Sequence, residues 1–207
     1  PTFFSDLSPL EQVMSFLAYT YLGYAARYLP FALLAGGVFL AARYLWVKRT
    51  GQQFRGWNEG IRTLLVCYCA GIFQVALLPP GPGLLFTGGY SFVPTFVQLA
   101  AGLVTIGPWV YAMFALNTLM FVPVGLLLPF ALRRNAWWRV MLICLISILA
   151  IEAVQPIVGR SGDADDLLCN LAGSAIGFGL YKTMEKLFPA FVKKGRPTAP
   201  DGQAARS

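Results

Sequence analysis

Long apolar runs broken by short polar stretches dominate the chain, and the runs have the length of helices rather than strands. The first run extends from residue 9 to 46. A single straight helix of that length would reach about 57 Å, far beyond a hydrocarbon core of roughly 30 Å. Arg27 and Pro30 divide it. The pattern predicts an interfacial or tilted helix over 9 to 25 and a first span over 29 to 47, with Pro30 in the first turn of that span. "RYLWVKR", 43 to 49, closes the span with aromatic and basic interface anchors. A second span is expected over 59 to 78 and stops at "PPGPG".

Residues 63 to 132 carry no charge. Within them, "GLLFTGGYSFVPTFVQLAAGLVTIGP" holds too many Gly and Pro residues for one helix. It predicts an apolar loop with a short helix near 95 to 105, at the membrane surface or re-entering it. Bare backbone cannot face lipid, so protein or the interface must cover such a loop. A third span is expected over 108 to 132 with Pro123 and Pro129 inside it, a fourth over 136 to 155, halted by Pro156, and a fifth over 165 to 188. The polar segment from 191 to 207 reads as a disordered tail. The expected fold class is all-α: a polytopic membrane helix bundle of about five transmembrane helices plus an N-terminal interfacial helix. It forms one domain, 1 to 190, without an internal repeat.

Composition agrees with the pattern. The chain is 57% hydrophobic and 12% charged, where soluble domains carry about 25% charged residues. The formal charge of +7 therefore reports membrane topology first, and no nucleic-acid partner is expected. Arg43, Lys48, Arg49, Arg55 and Arg62 flank the first connection, and Arg133, Arg134 and Arg139 flank the third. Lys182, Lys186, Lys193, Lys194 and Arg196 follow the fifth span, whereas the second connection has no base and the fourth only Arg160. The positive-inside rule then puts the N-terminus outside, the C-terminus in the cytoplasm and the fourth connection outside. Residues 1 to 11 carry Asp6 and Glu11 without a base, so no cleavable signal peptide is expected there.

Without a single His, the chain lacks the commonest general base and transition-metal ligand. Its four cysteines, Cys67, Cys69, Cys144 and Cys169, all lie in apolar runs. Cys67 and Cys69 would point about 200° apart on a helix, a poor zinc pair. Reduced thiols packed in the bilayer are expected.

The candidate chemistry lies in "IEAVQPIVGRSGDADDLLCN", 151 to 170, which holds Glu152, Asp163, Asp165 and Asp166 out of the nine acidic residues. Part of this cluster has a structural reading. Asp163 can cap the fifth helix, and Asp165 and Asp166 would sit in its first turn, favoured by the helix dipole. Glu152 falls outside that account, because it sits about one turn inside the fourth span, where a carboxylate is expensive. Gln155 shares its face. Asp166, Asn170, Gly173 and Gly177 share one face of the fifth helix, whose small residues suit close packing. Asn117 lies about 13 Å into the third span and can join from a neighbouring helix. For Asn117 and Asn170 the alternative is an interhelical hydrogen bond worth about 0.6 to 2 kcal/mol. Taken together, the group predicts a polar site open to the outer leaflet. Its substrate-binding candidates are Asn117, Gln155, Arg160 and Asn170.

"LNTLMFVPVGLLLP", 116 to 129, followed by "ISILAIEAVQPIVGRSGDADDLLCNLAGSAIG", 146 to 177, resembles the VanZ-like family. The resemblance rests on Asn117, Phe121, Pro123, Gly125, Glu152, Gln155, Arg160, Asp163, Asp166, Asn170, Gly173 and Gly177 in that order, with a motif core over 108 to 180. It implies a small polytopic protein of the bacterial cytoplasmic membrane. It also implies helix-packing roles for Phe121, Pro123 and Gly125 alongside Gly173 and Gly177. The family's named member is associated with resistance to teicoplanin, a lipoglycopeptide antibiotic, so membrane lipids and a lipidated envelope molecule or lipoglycopeptide are the implied partners.

Three functions fit these residues. The first is binding, excluding or acting on a lipidated envelope molecule at the outer leaflet. Arg160 would hold an anionic head group, and the aromatic loop from Phe86 to Phe96 would cover the acyl tail. The second is an enzyme on an envelope lipid or undecaprenyl-linked precursor, with Glu152, Arg160, Asp163 and Asp166 as catalytic candidates. No resident cofactor is expected in either case, although Glu152, Asp163 and Asp166 offer oxygen ligands that suit Mg²⁺ or Ca²⁺. The third is a non-catalytic accessory or scaffold subunit, in which the cluster fixes helix packing. Short spans without a repeat argue against a transporter.

Overall fold

The computed structural model describes residues 8–77, 89–105, 107–132 and 135–197. Among these residues seven α-helices carry the architecture: α1 Pro9–Thr50, α2 Gly56–Leu77, α3 Thr95–Ala100, α4 Pro108–Ala131, α5 Trp137–Val154, α6 Ala164–Leu187 and α7 Pro189–Gly195. Two short strands, β1 Tyr90–Ser91 and β2 Gly162–Asp163, pair in parallel, Tyr90 opposite Gly162 and Ser91 opposite Asp163.

α1 corrects the first expectation. It is one helix of 42 residues, not an interfacial helix followed by a separate span, and Pro30 lies inside it. Ser8 and Glu11 form a capping box at its start, and Gly51, at φ 66°, closes its end in the left-handed region. Pro30 removes the bond its own N–H would make to the Ala26 carbonyl and crowds that carbonyl with its ring. A break there would leave several backbone groups unpaired in apolar surroundings, which costs more.

α2 to α6 begin and end close to the expected places. The short helix α3 stops at Ala100 rather than near 105, and Gly102, at φ 70°, turns the chain away. The expected disordered tail also starts too early at 191. α7 covers residues 189 to 195, and Val192 is buried against Phe130 and Tyr181. Residues 198–207, the "PPGPG" breaker and Phe86 lie outside the described residues.

Among the described residues four helices are long and apolar enough to cross a membrane: Tyr28–Thr50, Gly56–Leu77, Val110–Ala131 and Trp137–Val158. The protein is an integral membrane protein. Large apolar side chains such as Leu34, Val38, Phe73, Leu119, Ile146 and Ile176 point outward, as a lipid solvent demands. The fifth span is not among them. α6 has 24 residues, but Asp165, Asp166 and Asn170 at one end and Lys182, Glu185 and Lys186 at the other dilute its apolar character.

α6 nevertheless makes the tightest contact in the molecule, against α4. A Cβ added at Gly173 would overlap the Thr118 carbonyl, one at Gly177 the Val122 carbonyl, and one at Gly125 the Ser174 carbonyl. Three hydrogens in place of three side chains let the two backbones touch. The order of partners, 118 to 125 along α4 against 173 to 177 along α6, makes the helices run parallel. Phe121 is buried in the adjoining core with Ile72, Val124, Val140, Cys144 and Ile148, and Pro123 is half-buried beside it. Gly36 of α1 plays a similar role against Thr63 and Cys67 of α2. All four cysteines are free thiols.

Candidate functional site

The site is built where α5 turns into α6. Pro156 lacks an N–H, so α5 tightens into a 3-10 turn, Gln155–Val158. Gly159, at φ 80°, reverses the chain, and the Arg160 N–H returns to the Gln155 carbonyl at 2.9 Å. Asp163 then caps α6, its Oδ1 accepting from the Asp165 N–H at 3.0 Å.

Each carboxylate has a distinct environment. Glu152 Oε2 accepts from the Asp163 N–H at 2.9 Å, which ties the end of α5 to the start of α6. Asp165 reaches across the bundle, and both its oxygens accept from the Thr95 N–H, at 3.0 and 2.9 Å, at the first turn of α3. Asp166 accepts from the Asn117 amide of α4. Glu152 lies within electrostatic range of Asp166, Asp163 and Arg160. Above it, Tyr90 lies over Gly162 and donates to the Ala153 carbonyl at 3.2 Å.

Arg160 bonds to backbone rather than to a carboxylate. Its Nη1 donates to the Val75 carbonyl of α2 at 2.6 Å, and it forms no ion pair among the described residues. The carbonyl is free to accept because the residue four positions on, Pro79, has no N–H to donate to it. The adjacent Ala76 carbonyl accepts from Gln155 Nε2 at 3.5 Å.

Glu152, Asp163 and Asp166, which offered oxygen ligands for Mg²⁺ or Ca²⁺, do not come together as a metal site. Among the described residues no three His, Cys, Asp or Glu side chains converge to hold a metal ion. The reason is local. Asp163 is spent on its cap, Asp166 on Asn117 and one oxygen of Glu152 on a backbone N–H.

What remains is a set of buried oxygens without partners. Glu152 Oε1, Gln155 Oε1, Asn170 Oδ1 and Gln74 Oε1 make no hydrogen bond among the described residues. Their residues are 9%, 4%, 3% and 6% exposed. An unpartnered buried acceptor is costly, and native proteins rarely tolerate one, let alone a group. Glu152 and Gln155 share one face, Gln74 stands two residues before Ala76 on α2, and Asn170 lies one turn deeper than Asp166 on α6. Ile72, Ile148, Ile151, Leu167 and Leu171 pack together beneath them.

Thus the structure joins Glu152 to Asp163 and Asn117 to Asp166, places Gln155 beside them and Asn170 below, and leaves Arg160 bonded elsewhere. Two contributors were missed from the sequence. Gln74 carried a readable signal, as a lone amide in an apolar span. Asp165, read only as a first-turn charge, proves to anchor α3. A second polar centre, at the opposite end, was also missed. There the buried Glu59 binds Arg43 at 2.6 and 3.0 Å with Arg62 at 3.6 Å, and Asn58 donates to the Gly195 carbonyl of α7. Arg196, Asn135, Tyr181 and Glu185 are linked beside them.

A family model described as VanZ/LLP1 matches residues 64–185, more than half of the chain, from within α2 to the last turn of α6. The match contains every residue of the site. No curated protein and no solved structure matches the chain.

Proposed function

The chain belongs to the VanZ/LLP1 family, and from that membership and the site's chemistry we propose that it binds a lipidated envelope molecule at the outer leaflet of a bacterial cytoplasmic membrane. One observation carries the reading: Glu152, Gln155 and Asn170 each keep an oxygen unpartnered while nine-tenths buried. A cluster that served helix packing alone would have been selected to satisfy or lose those oxygens. Beside it, Tyr90, Phe92, Val93, Phe96 and Leu103 form an exposed apolar surface around α3. Unpartnered polar groups next to an apolar surface suit an amphiphile with a head group and an acyl tail.

The site faces outward in this reading because α6 completes a fifth span. Two facts support it. α6 lies parallel to α4 in backbone contact, so it shares α4's depth. Both its ends also match those of a spanning helix, with a polar start and Lys182 and Lys186 at the finish. Cysteine labelling tests the topology. Gly162, buried under Tyr90, is a poor probe position, but Ser161 is exposed. Ser161→Cys should react with an impermeant maleimide in intact cells, above the background of the native thiols, and Gln52→Cys only after permeabilisation. The reverse pattern removes the outer-leaflet assignment.

Binding is tested by lipid analysis of the purified chain. Wild-type protein should co-purify with an envelope lipid that Glu152→Gln protein lacks, at equal yield and thermal stability. Identical lipid profiles would refute the reading. Expression should also raise tolerance to teicoplanin over a control strain, and an unchanged inhibitory concentration would separate this chain from lipoglycopeptide resistance.

A further inference from the structure

Resting on that binding reading, we infer that the head group held at this site presents a primary ammonium to Glu152, Gln155 and Asn170. All the unpartnered buried atoms of the site are oxygens: one carboxylate oxygen and the amide oxygens of Gln155, Asn170 and Gln74. Oxygens of this kind accept hydrogen bonds, so the complementary group must donate. The charge balance adds a sign. Glu152, Asp163, Asp165 and Asp166 stand against one guanidinium, and Arg160 spends a donor on the Val75 carbonyl. An anionic head group would meet carboxylates and acceptor oxygens here.

Between cationic groups the geometry also discriminates. A divalent metal wants several hard, charged ligands, and the carboxylates do not converge. A quaternary ammonium offers charge but no N–H, so it would leave the acceptors unpaired. A primary ammonium offers three donors on one positive atom, against one charged and several neutral acceptors. Gln155 and Asn170 then have a role that a purely electrostatic site would not require.

The test uses the full chain in maltoside micelles at pH 7 and calorimetric titration of single amphiphiles. Dodecylamine should bind about tenfold tighter than dodecyltrimethylammonium or dodecanoate, a factor on the order of one charge-assisted hydrogen bond. Glu152→Gln should remove most of that preference, and Gln155→Met, a second variant should the first misfold, should reduce it. Equal or tighter binding of dodecanoate would overturn the inference while leaving a lipid site in place. Stabilisation by sodium or magnesium chloride at the same concentration as dodecylamine would assign the oxygens to a metal ion and also overturn it. Binding of no amphiphile would reject the lipid reading and the inference together. Ethylamine separates the sources of the ammonium. If it binds as tightly as dodecylamine the amine is a soluble one, and if it binds far more weakly the amine belongs to a lipid.

Discussion

Glu59 and Glu152 are both buried glutamates at helix ends, 3% and 9% exposed, yet their surroundings differ in kind. Glu59 has two guanidiniums on it, one of them through paired bonds from Arg43, and its neighbours Asn58, Asn135, Tyr181 and Arg196 all have partners. Among the described residues Glu152 has a single backbone N–H on one oxygen and no hydrogen bond on the other. The first end is closed chemistry: among the described residues none of its fully buried side-chain nitrogens or oxygens lacks a partner, and the product is a clasp that ties α1, α2, α4, α6 and α7. The second end carries surplus acceptors. Stability accounts for the first arrangement, and the proposed ligand would account for the second.

That contrast can be broken most directly at Glu59. Glu59→Gln leaves Arg43 without its paired carboxylate, and should lower the unfolding free energy in detergent by about 3 kcal/mol, the lower end for a broken buried pair because Arg43 is partly exposed. An unchanged melting temperature would mean that the clasp is not structural. Gly173→Ala comes next. The added methyl meets the Thr118 carbonyl, and prying α6 from α4 should cost about 2 kcal/mol. If it proves neutral, the polar bonds at the two ends rather than the glycine contact hold these helices.

Asp165→Ala should act locally. It frees the Thr95 N–H, at a cost of about 1.5 kcal/mol for a bond to a charged acceptor. Hydrogen exchange should quicken in α3 while the bundle melts nearly as before, and uniform loss of protection would make Asp165 a general packing residue. The smallest stability effect belongs to the most consequential residue. Glu152→Gln keeps the Asp163 N–H bonded and removes a buried charge, so stability should stay within about 1 kcal/mol of wild type or rise. Lipid or amine binding should be lost at the same time. A large drop in melting temperature would make Glu152 a second Glu59 and dissolve the comparison.

The legible parts of this molecule were those governed by nearby residues. The candidate site was readable as a place, because a carboxylate and an amide at 152 and 155 inside an apolar run have no cheap explanation. Its bonding was not readable. Arg160 stands a few residues from three aspartates in the sequence, yet it donates to a carbonyl 85 residues back. The Glu59 clasp was overlooked because Asn58, Glu59 and Arg62 look like an ordinary polar boundary of a span. Only α7, folded back onto them, makes that boundary a buried core.

By itself the sequence determined where the chain is apolar for the length of a membrane, where Pro156 must end a helix, and that Asp163 would cap the next one. These follow from transfer free energy and from backbone geometry within a turn or two. Tertiary structure alone decided that α1 runs unbroken through Pro30, that Asp165 serves Thr95 at a separation of 70 residues and that Asn58 meets Gly195 across 137. It also decided which oxygens were left over. The physical reason is that a hydrogen bond is a property of a pair, and in a bundle the second member arrives from whichever helix the small residues allow to come closest.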